Sequence, residues 1–290
     1  MKKNTVSKKH VPVLKTIKLF INGEFPRTES GRSQEVFFDK SKKHFANLCL
    51  ASRKDFRNAV TAAKDAQESW SAKSAYNRGQ ILYRMAEMLE SRQAEFIQLL
   101  METTSLTKGK AEEDVQEAIN AFTYFAGFSD KYQQILGAVN PVSGPHHNFT
   151  TADVMGVVTL VVDENFKLTT LASQIAAIIV SGNTLIALLP LHAKSTLLAP
   201  LAEVFATSDV PKGVINLLTG QLSELSSVIG THMEVQAISC QIEDLDILGQ
   251  FKQQSVDNMK RVISPQNNLQ SLEHLMQYLE YKTVWHPIGV

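Results

Sequence analysis

The stretch from Val154 to Gly220 leaves this chain little choice of fold. It reads as a β-branched apolar run from Val154 to Val162, a polar turn Asp163-Glu164-Asn165, and an apolar segment of helical length over 168–180. Ser181-Gly182-Asn183 follows, then a second short run from Thr184 to Leu189, a linker from Pro190 to Lys194 and an apolar-faced segment over 195–206. The turn Asp209-Val210-Pro211-Lys212-Gly213 and a third run, Val214 to Leu218, complete it. Strands covered on both faces need no polar alternation, so continuous apolar runs alternating with helical segments specify a parallel sheet with crossover helices. The pattern predicts an α/β core over 154–240. Its strands fall at 154–162, 184–189, 214–218 and 235–239, its helices at 168–180, 195–206 and 221–230, joined by right-handed crossovers.

Ahead of that core, Ser52-Arg53-Lys54-Asp55 is a capping box that opens a helix, with Phe56, Val60, Ala63, Ala66 and Trp70 at helical spacing. Further amphipathic helices are predicted over about 77–100 and 110–133. Lys18 to Phe25 contains the hairpin dipeptide Asn22-Gly23, and Glu35 to Phe38 reads as the next strand. Beyond Cys240 the pattern gives a helix within 241–260, a linker at Ser264 to Asn268, a short helix at Leu269 to Leu279 and a strand from Tyr281 to Trp285.

Several classes of function drop out. With 29 basic and 29 acidic residues the net charge is zero, so nothing global draws the chain to nucleic acid or an anionic membrane. The uncharged stretch from Leu171 to Leu191 is broken by Ser181-Gly182-Asn183 and ends at a proline, which reads as a buried helix, turn and strand rather than a membrane span. The two cysteines, Cys49 and Cys240, lie in apolar sequence without metal-ligand spacing. They are expected to be reduced core residues of a cytoplasmic protein. His146 and His147 are adjacent, so in a strand they point to opposite faces, and no metal site is expected there. The four lysines within residues 1–10 suggest a flexible basic tail over 1–16.

Gly156-Val157-Val158, Asn165-Phe166, Ser181-Gly182-Asn183-Thr184, Val210-Pro211-Lys212-Gly213-Val214-Ile215-Asn216 and Gly220 resemble, in order and spacing, the cofactor-domain motifs of the aldehyde dehydrogenase superfamily. The resemblance extends upstream to Phe20-Ile21-Asn22-Gly23-Glu24-Phe25 and downstream to about Cys240. It returns at Glu280-Tyr281-Lys282-Thr283-Val284, which looks like the family's extreme carboxyl end. It implies a Rossmann-like parallel sheet with helices on both faces and a small antiparallel oligomerisation sheet. The implied cofactor domain spans 17–262, with its helical part at 52–133. Strands near 18–38 and 134–153 would contribute to the oligomerisation sheet. Residues 263–290 would be a linker, a short helix and the last oligomerisation strand.

Against the family's pattern the chemistry looks dismantled. Asn165 occupies the position that in the family helps hold the substrate oxyanion, but Asp163 and Glu164 precede it, and no cation nearby in sequence offsets them. Leu188 stands where the family carries a lysine for the adenosine ribose, and a one-residue shift puts Leu189 there instead. After the strand at 235–239, Cys240-Gln241-Ile242-Glu243 replaces a glycine-bearing turn, with Glu243 placing negative charge where a pyrophosphate would sit. Gly220 survives. These four, Asn165, Leu188, Gly220 and Glu243, are the remnant of a cofactor site, and binding of NAD is not expected. The family's glutamate-glycine-glycine base and glycine-glutamine-x-cysteine nucleophile have no counterpart, so no catalytic residue is assigned and the catalytic domain is read as absent. The expected role is a noncatalytic scaffold or partner subunit, joined through strand 281–285 and the small sheet to a copy of itself or to a catalytic dehydrogenase. The alternatives are an NAD(P)-binding regulatory module and an NAD-dependent aldehyde oxidoreductase.

Overall fold

A computed structural model describes residues 14–39, 41–242, 244–264 and 268–289. Of the tail expected over 1–16, residues 1–13 lie outside the described residues, while β1 (Lys15–Ile17) is already a strand. It pairs in parallel with β3 (His44–Cys49), which pairs on its other side with β2 (Ser33–Phe37). Between β1 and β2, Asn22 and Gly23 both adopt positive φ, the turn that dipeptide favours. Phe20 just before it exchanges backbone hydrogen bonds with Leu217 at 2.9 and 2.7 Å.

Helices follow: α1 (Arg53–Ser71), α2 (Ala75–Ser91), α3 (Gln93–Thr103), α4 (Lys108–Phe128) and the short α5 (Tyr132–Leu136). The capping box of α1 forms as its sequence requires, with Asp55 N–H donating to Ser52 Oγ at 3.2 Å and Ser52 N–H donating to Asp55 Oδ2 at 2.8 Å. The helix read over 77–100 is two, broken at Arg92, whose guanidinium reaches Glu95 on α3 and Glu203 beyond it.

Next come β4 (Ala138–Asn140), β5 (His146–Val154) and β6 (Val157–Val162), so the run read as one strand over 154–162 belongs to two. Gly156 divides them at φ +130°, where a Cβ would lie 2.7 Å from Gln236 Oε1. Then follow α6 (Leu168–Val180), β7 (Thr184–Leu189), a 3₁₀ turn at Ala193–Leu197, α7 (Leu198–Ala206), β8 (Ile215–Thr219), α8 (Leu222–Thr231) and β9 (Ala237–Gln241). The chain continues through α9 (Leu245–Gln254), β10 (Arg261–Ile263) and α10 (Leu272–Met276) to β11 (Leu279–Pro287).

The central sheet has five parallel strands in the order β10-β9-β6-β7-β8. Its helices cover both faces. Val158, Leu160 and Val162 of β6 face a core shared with α2, α3, α4, α6 and α7, whereas Val157 and Val161 face one shared with α1, α8 and α9. The covering helices change face where the strand order reverses, between β6 and β9.

A separate antiparallel sheet has the order β11-β5-β4, with β11 registered against β5 from Leu279↔Val154 to Pro287↔His146. The strands near 18–38 do not join it. They form their own three-stranded sheet because β3, unmarked in the sequence pattern, takes the ladders of both β1 and β2.

Candidate functional site

In open α/β sheets, ligands lie outside the carboxyl ends of the strands where the order reverses. Here that crevice is bounded by the turn from β6 into α6, residues 163–167, and by Gln241 at the end of β9 with Ile242 and Asp244 beyond it. Asn165 is exposed on the turn, its N–H donating to Asp163 Oδ1 at 2.7 Å. It borders a cleft of about 330 Å³ together with Leu106, Lys110, Phe166 and Lys194.

The sequence reading leaves Asp163 and Glu164 without a cation, and the fold supplies one. Lys194 comes from the 3₁₀ turn after β7, donating from Nζ to Phe166 O at 2.6 Å and Glu164 O at 3.2 Å and lying 4.8 Å from the centroid of the Phe166 ring. Burial lowers its pKa, opposed by the nearby carboxylates of Asp114 and Asp163.

Both helices that begin at the crevice have their first amides occupied by carboxylates. Asp114, on α4, accepts from Leu168 N–H at 3.0 Å, Thr169 N–H at 2.9 Å and Thr169 Oγ1 at 2.7 Å, which caps α6. Asp244 Oδ1 accepts from Asp246 N–H at 2.9 Å and Ile247 N–H at 3.2 Å, which caps α9. Asp244 announces itself in sequence as an N-cap before an apolar run. Asp114 acts on a helix far away in the chain and gives no local signal, nor does Lys194.

Leu188 and Gly220 meet on the α1 side of the sheet, away from the cleft at Asn165. Leu188 is 2% exposed, and a Cβ on Gly220 would stand 3.1 Å from its Cδ1 and 3.0 Å from Leu225 Cδ1. A side chain there would need both leucine tips to give way by a few tenths of an ångström. Glu243 lies outside the described residues.

Neither thiol reaches the crevice as a nucleophile. Cys49 and Cys240 are 2% and 0% exposed, and burial pushes the Cys240 pKa up to about 12. Among the described residues no three His, Cys, Asp or Glu side chains stand together as metal ligands. No helix among them is long and apolar enough to cross a membrane.

Residues 26–263 match the aldehyde dehydrogenase family. The chain belongs to that family. It is 32% identical to the cytosolic 10-formyltetrahydrofolate dehydrogenase of Xenopus laevis over 225 residues, 76% of this chain and 25% of that protein. It is 28% identical to a D-glyceraldehyde dehydrogenase (NADP(+)) of Thermoplasma acidophilum, over 77% of this chain and 44% of that one. The NAD+ complex of an aldehyde dehydrogenase from Bacillus cereus superposes with a TM-score of 0.80 at 26% identity, covering 86% of this chain and 50% of that chain. The chain thus spans about a quarter of the first of these curated relatives and half of the solved enzyme.

The solved structures correct the expectation that NAD is not bound. The Bacillus cereus enzyme and PnpE, the latter with a TM-score of 0.80 at 26% identity, hold NAD on this same fold. The physical reason lies at the crevice. The carboxylates of Asp114 and Asp163 are opposed by the nearby Lys194 ammonium, and the order reversal that forms a dinucleotide crevice is intact.

Proposed function

We propose that this chain is a noncatalytic aldehyde-dehydrogenase-like subunit, working as a scaffold or partner in an oligomer built on the β11-β5-β4 sheet, with a nicotinamide dinucleotide as the ligand class of its β6–β9 crevice. The observation that carries the reading is the connection from β10 to β11. Ile263 reaches Leu279 through residues 264–278 alone, too few for the second domain on which the family resemblance places the thiol and the base, yet the strand that resemblance places last is in its sheet.

That connection is also built into the core. Asn183 Nδ2 donates to Tyr278 O at 2.7 Å, Tyr278 Oη shares a hydrogen bond with Ser239 Oγ at 2.9 Å, and Arg261 donates to Gln277 O and Leu279 O at 3.0 and 2.9 Å. Aldehyde oxidation through a thiol needs a thiolate near neutral pH, which the buried Cys240 does not provide. Two buried, unpaired thiols favour a reducing compartment, and we place the protein in the cytoplasm on that ground.

Purification from native extract, with a mass measurement and identification of accompanying chains, tests the partner role. A co-purifying catalytic aldehyde dehydrogenase or a stable homo-oligomer supports it, and a solitary monomer at every concentration sinks it. Aldehyde-dependent NADH formation by the isolated chain would overturn the noncatalytic half. Calorimetric titration with NAD reads the dinucleotide half, with saturable binding expected and a flat trace counting against it.

A further inference from the structure

In sequence neither His146 nor His147 has a second ligand at metal spacing, and the two point to opposite faces of β5. The ladder to β11 changes that for one of them. His147 stands directly opposite His286, whereas His146 stands opposite Pro287. Two ring contacts fix the faces. His146 lies 5.8 Å from Trp285 on one, and His147 lies 5.4 Å from Phe149, two residues along its strand, on the other. His286 follows Trp285 in β11 and therefore shares the face of His147.

The backbone sets their spacing. Ile288 N–H donates to Pro145 O at 2.8 Å, one step beyond the Pro287↔His146 pair. Hydrogen-bonded pairs alternate along an antiparallel ladder, so His286 and His147 form the next one, with Cα atoms about 5.5 Å apart. Both residues are exposed, and their rings can turn toward each other without disturbing the core. Metal–imidazole bonds are about 2.0–2.1 Å long, so two rings rooted on one face at that separation can meet at a single ion.

The surroundings do not oppose one. The next pair on that face, Val284 and Phe149, is uncharged, and Lys282 beyond it is ion-paired with Asp153. His147 also borders a shallow cavity of about 420 Å³ with Gln133, Gln134 and Val139, which leaves space for water beside the ion.

We infer that His147 and His286 together chelate one borderline divalent transition-metal ion, of the class of Ni2+, Cu2+ and Zn2+, with water in its remaining coordination positions. Neutral imidazole suits these metals, while Mg2+ and Ca2+ take oxygen ligands that the pair does not offer. The two ligands come together only once β11 is paired with β5, so the ion binds the folded chain and clamps β11 to its sheet. This does not depend on the subunit reading above.

The test is calorimetric titration of the metal-free, untagged chain with NiCl2, in wild type and in His147→Ala, His286→Ala, the double variant and His146→Ala. One ion per chain is expected. His147→Ala and His286→Ala are each expected to weaken binding at least about tenfold, and the double variant hardly further, because losing either arm already breaks the chelate. His146→Ala, on the opposite face, is expected to bind within about twofold of wild type. Additive losses at His147 and His286 would mean two adventitious single-histidine contacts and overturn the chelate, as would an equal loss in His146→Ala or a flat trace in wild type.

Two further readouts need no variant to fold. Ni2+ is expected to raise the wild-type melting temperature where Mg2+ does not, since only the former is held by the pair. The electron paramagnetic resonance spectrum of the chain with one equivalent of Cu2+ is expected to show two equatorial imidazole nitrogens. A single nitrogen, or a melting temperature indifferent to Ni2+, overturns the assignment.

Discussion

His274 lies on α10 against the rings of Phe125 and Tyr278, 2% exposed and with neither ring nitrogen hydrogen-bonded among the described residues. Burial without a partner penalises the imidazolium and lowers its pKa to about 4. The unfolded chain takes that proton near pH 6.5, so between those values it binds more protons than the folded chain. Stability is therefore complete above about pH 6.5 and is lost as pH falls toward 4, by up to about 3 kcal/mol. The urea midpoint is expected to fall between pH 7 and 4.5, and to fall less in His274→Phe. Equal falls in both chains would show that other groups carry the acid sensitivity. At the crevice, Asp244 holds the first amides of α9 with a full negative charge. Asn caps helices about as well as Asp, so Asp244→Asn removes the charge and keeps the cap. NAD affinity is expected to rise about two- to fivefold in calorimetry, the size of a helix-terminus charge effect. Unchanged affinity would place the pyrophosphate away from α9.

Among the elements, the turn between α6 and β7 shows what one motif does physically. Asn183 Oδ1 accepts from Met155 N–H at 2.8 Å and Gly156 N–H at 2.9 Å, and its Nδ2 donates to Ser181 Oγ and Tyr278 O at 2.7 Å each. One carboxamide thus ties the β5–β6 junction to the segment entering β11. Asn183→Ala would leave two backbone N–H groups and a carbonyl without partners and is expected to cost about 2–4 kcal/mol, read as a lowered melting temperature. A loss below about 1 kcal/mol would mean that water replaces the latch. The sequence shows this residue as a family motif but not as a latch, because both partners are distant in the chain. The elements that were legible carry their information locally: α6 runs over 168–180 as its apolar span predicts, and α1 starts at its capping box. β3 and β10 were not. β10 has three residues and is a strand through parallel pairing with the distant Ala237–Ser239, while β3, His-Phe-Ala-Asn-Leu-Cys, lacks a β-branched run and is a strand through its ladders to β2 and β1. At the candidate site the same rule holds, since Asp244 could be read as a cap but Lys194 reaches its turn only through the crossover after β7.

For the molecule as a whole, the question is whether the β11-β5-β4 sheet unfolds with the parallel sheet or apart from it. Three contacts join them near Tyr278, and the chain itself passes from β5 into β6 at Gly156. Buried hydrogen bonds shared by two sheets favour a single cooperative unit. The protein carries a probe at each end. Trp70, fully buried in α1, donates from Nε1 to Ile179 O at 3.0 Å, whereas Trp285 is 60% exposed on β11. In Trp285→Phe the fluorescence reports the core alone, and in Trp70→Phe it reports the small sheet alone. Each variant's urea transition by fluorescence is expected to coincide with its own transition by far-ultraviolet circular dichroism. If Trp285 changes at lower urea than the helical signal, the small sheet is a separate unit held by a tether. If association through the β11-β5-β4 sheet contributes to stability, both transitions also move to higher urea with protein concentration, because association stabilises only the folded chain. A midpoint independent of concentration in the unmodified chain would leave that association without an energetic role.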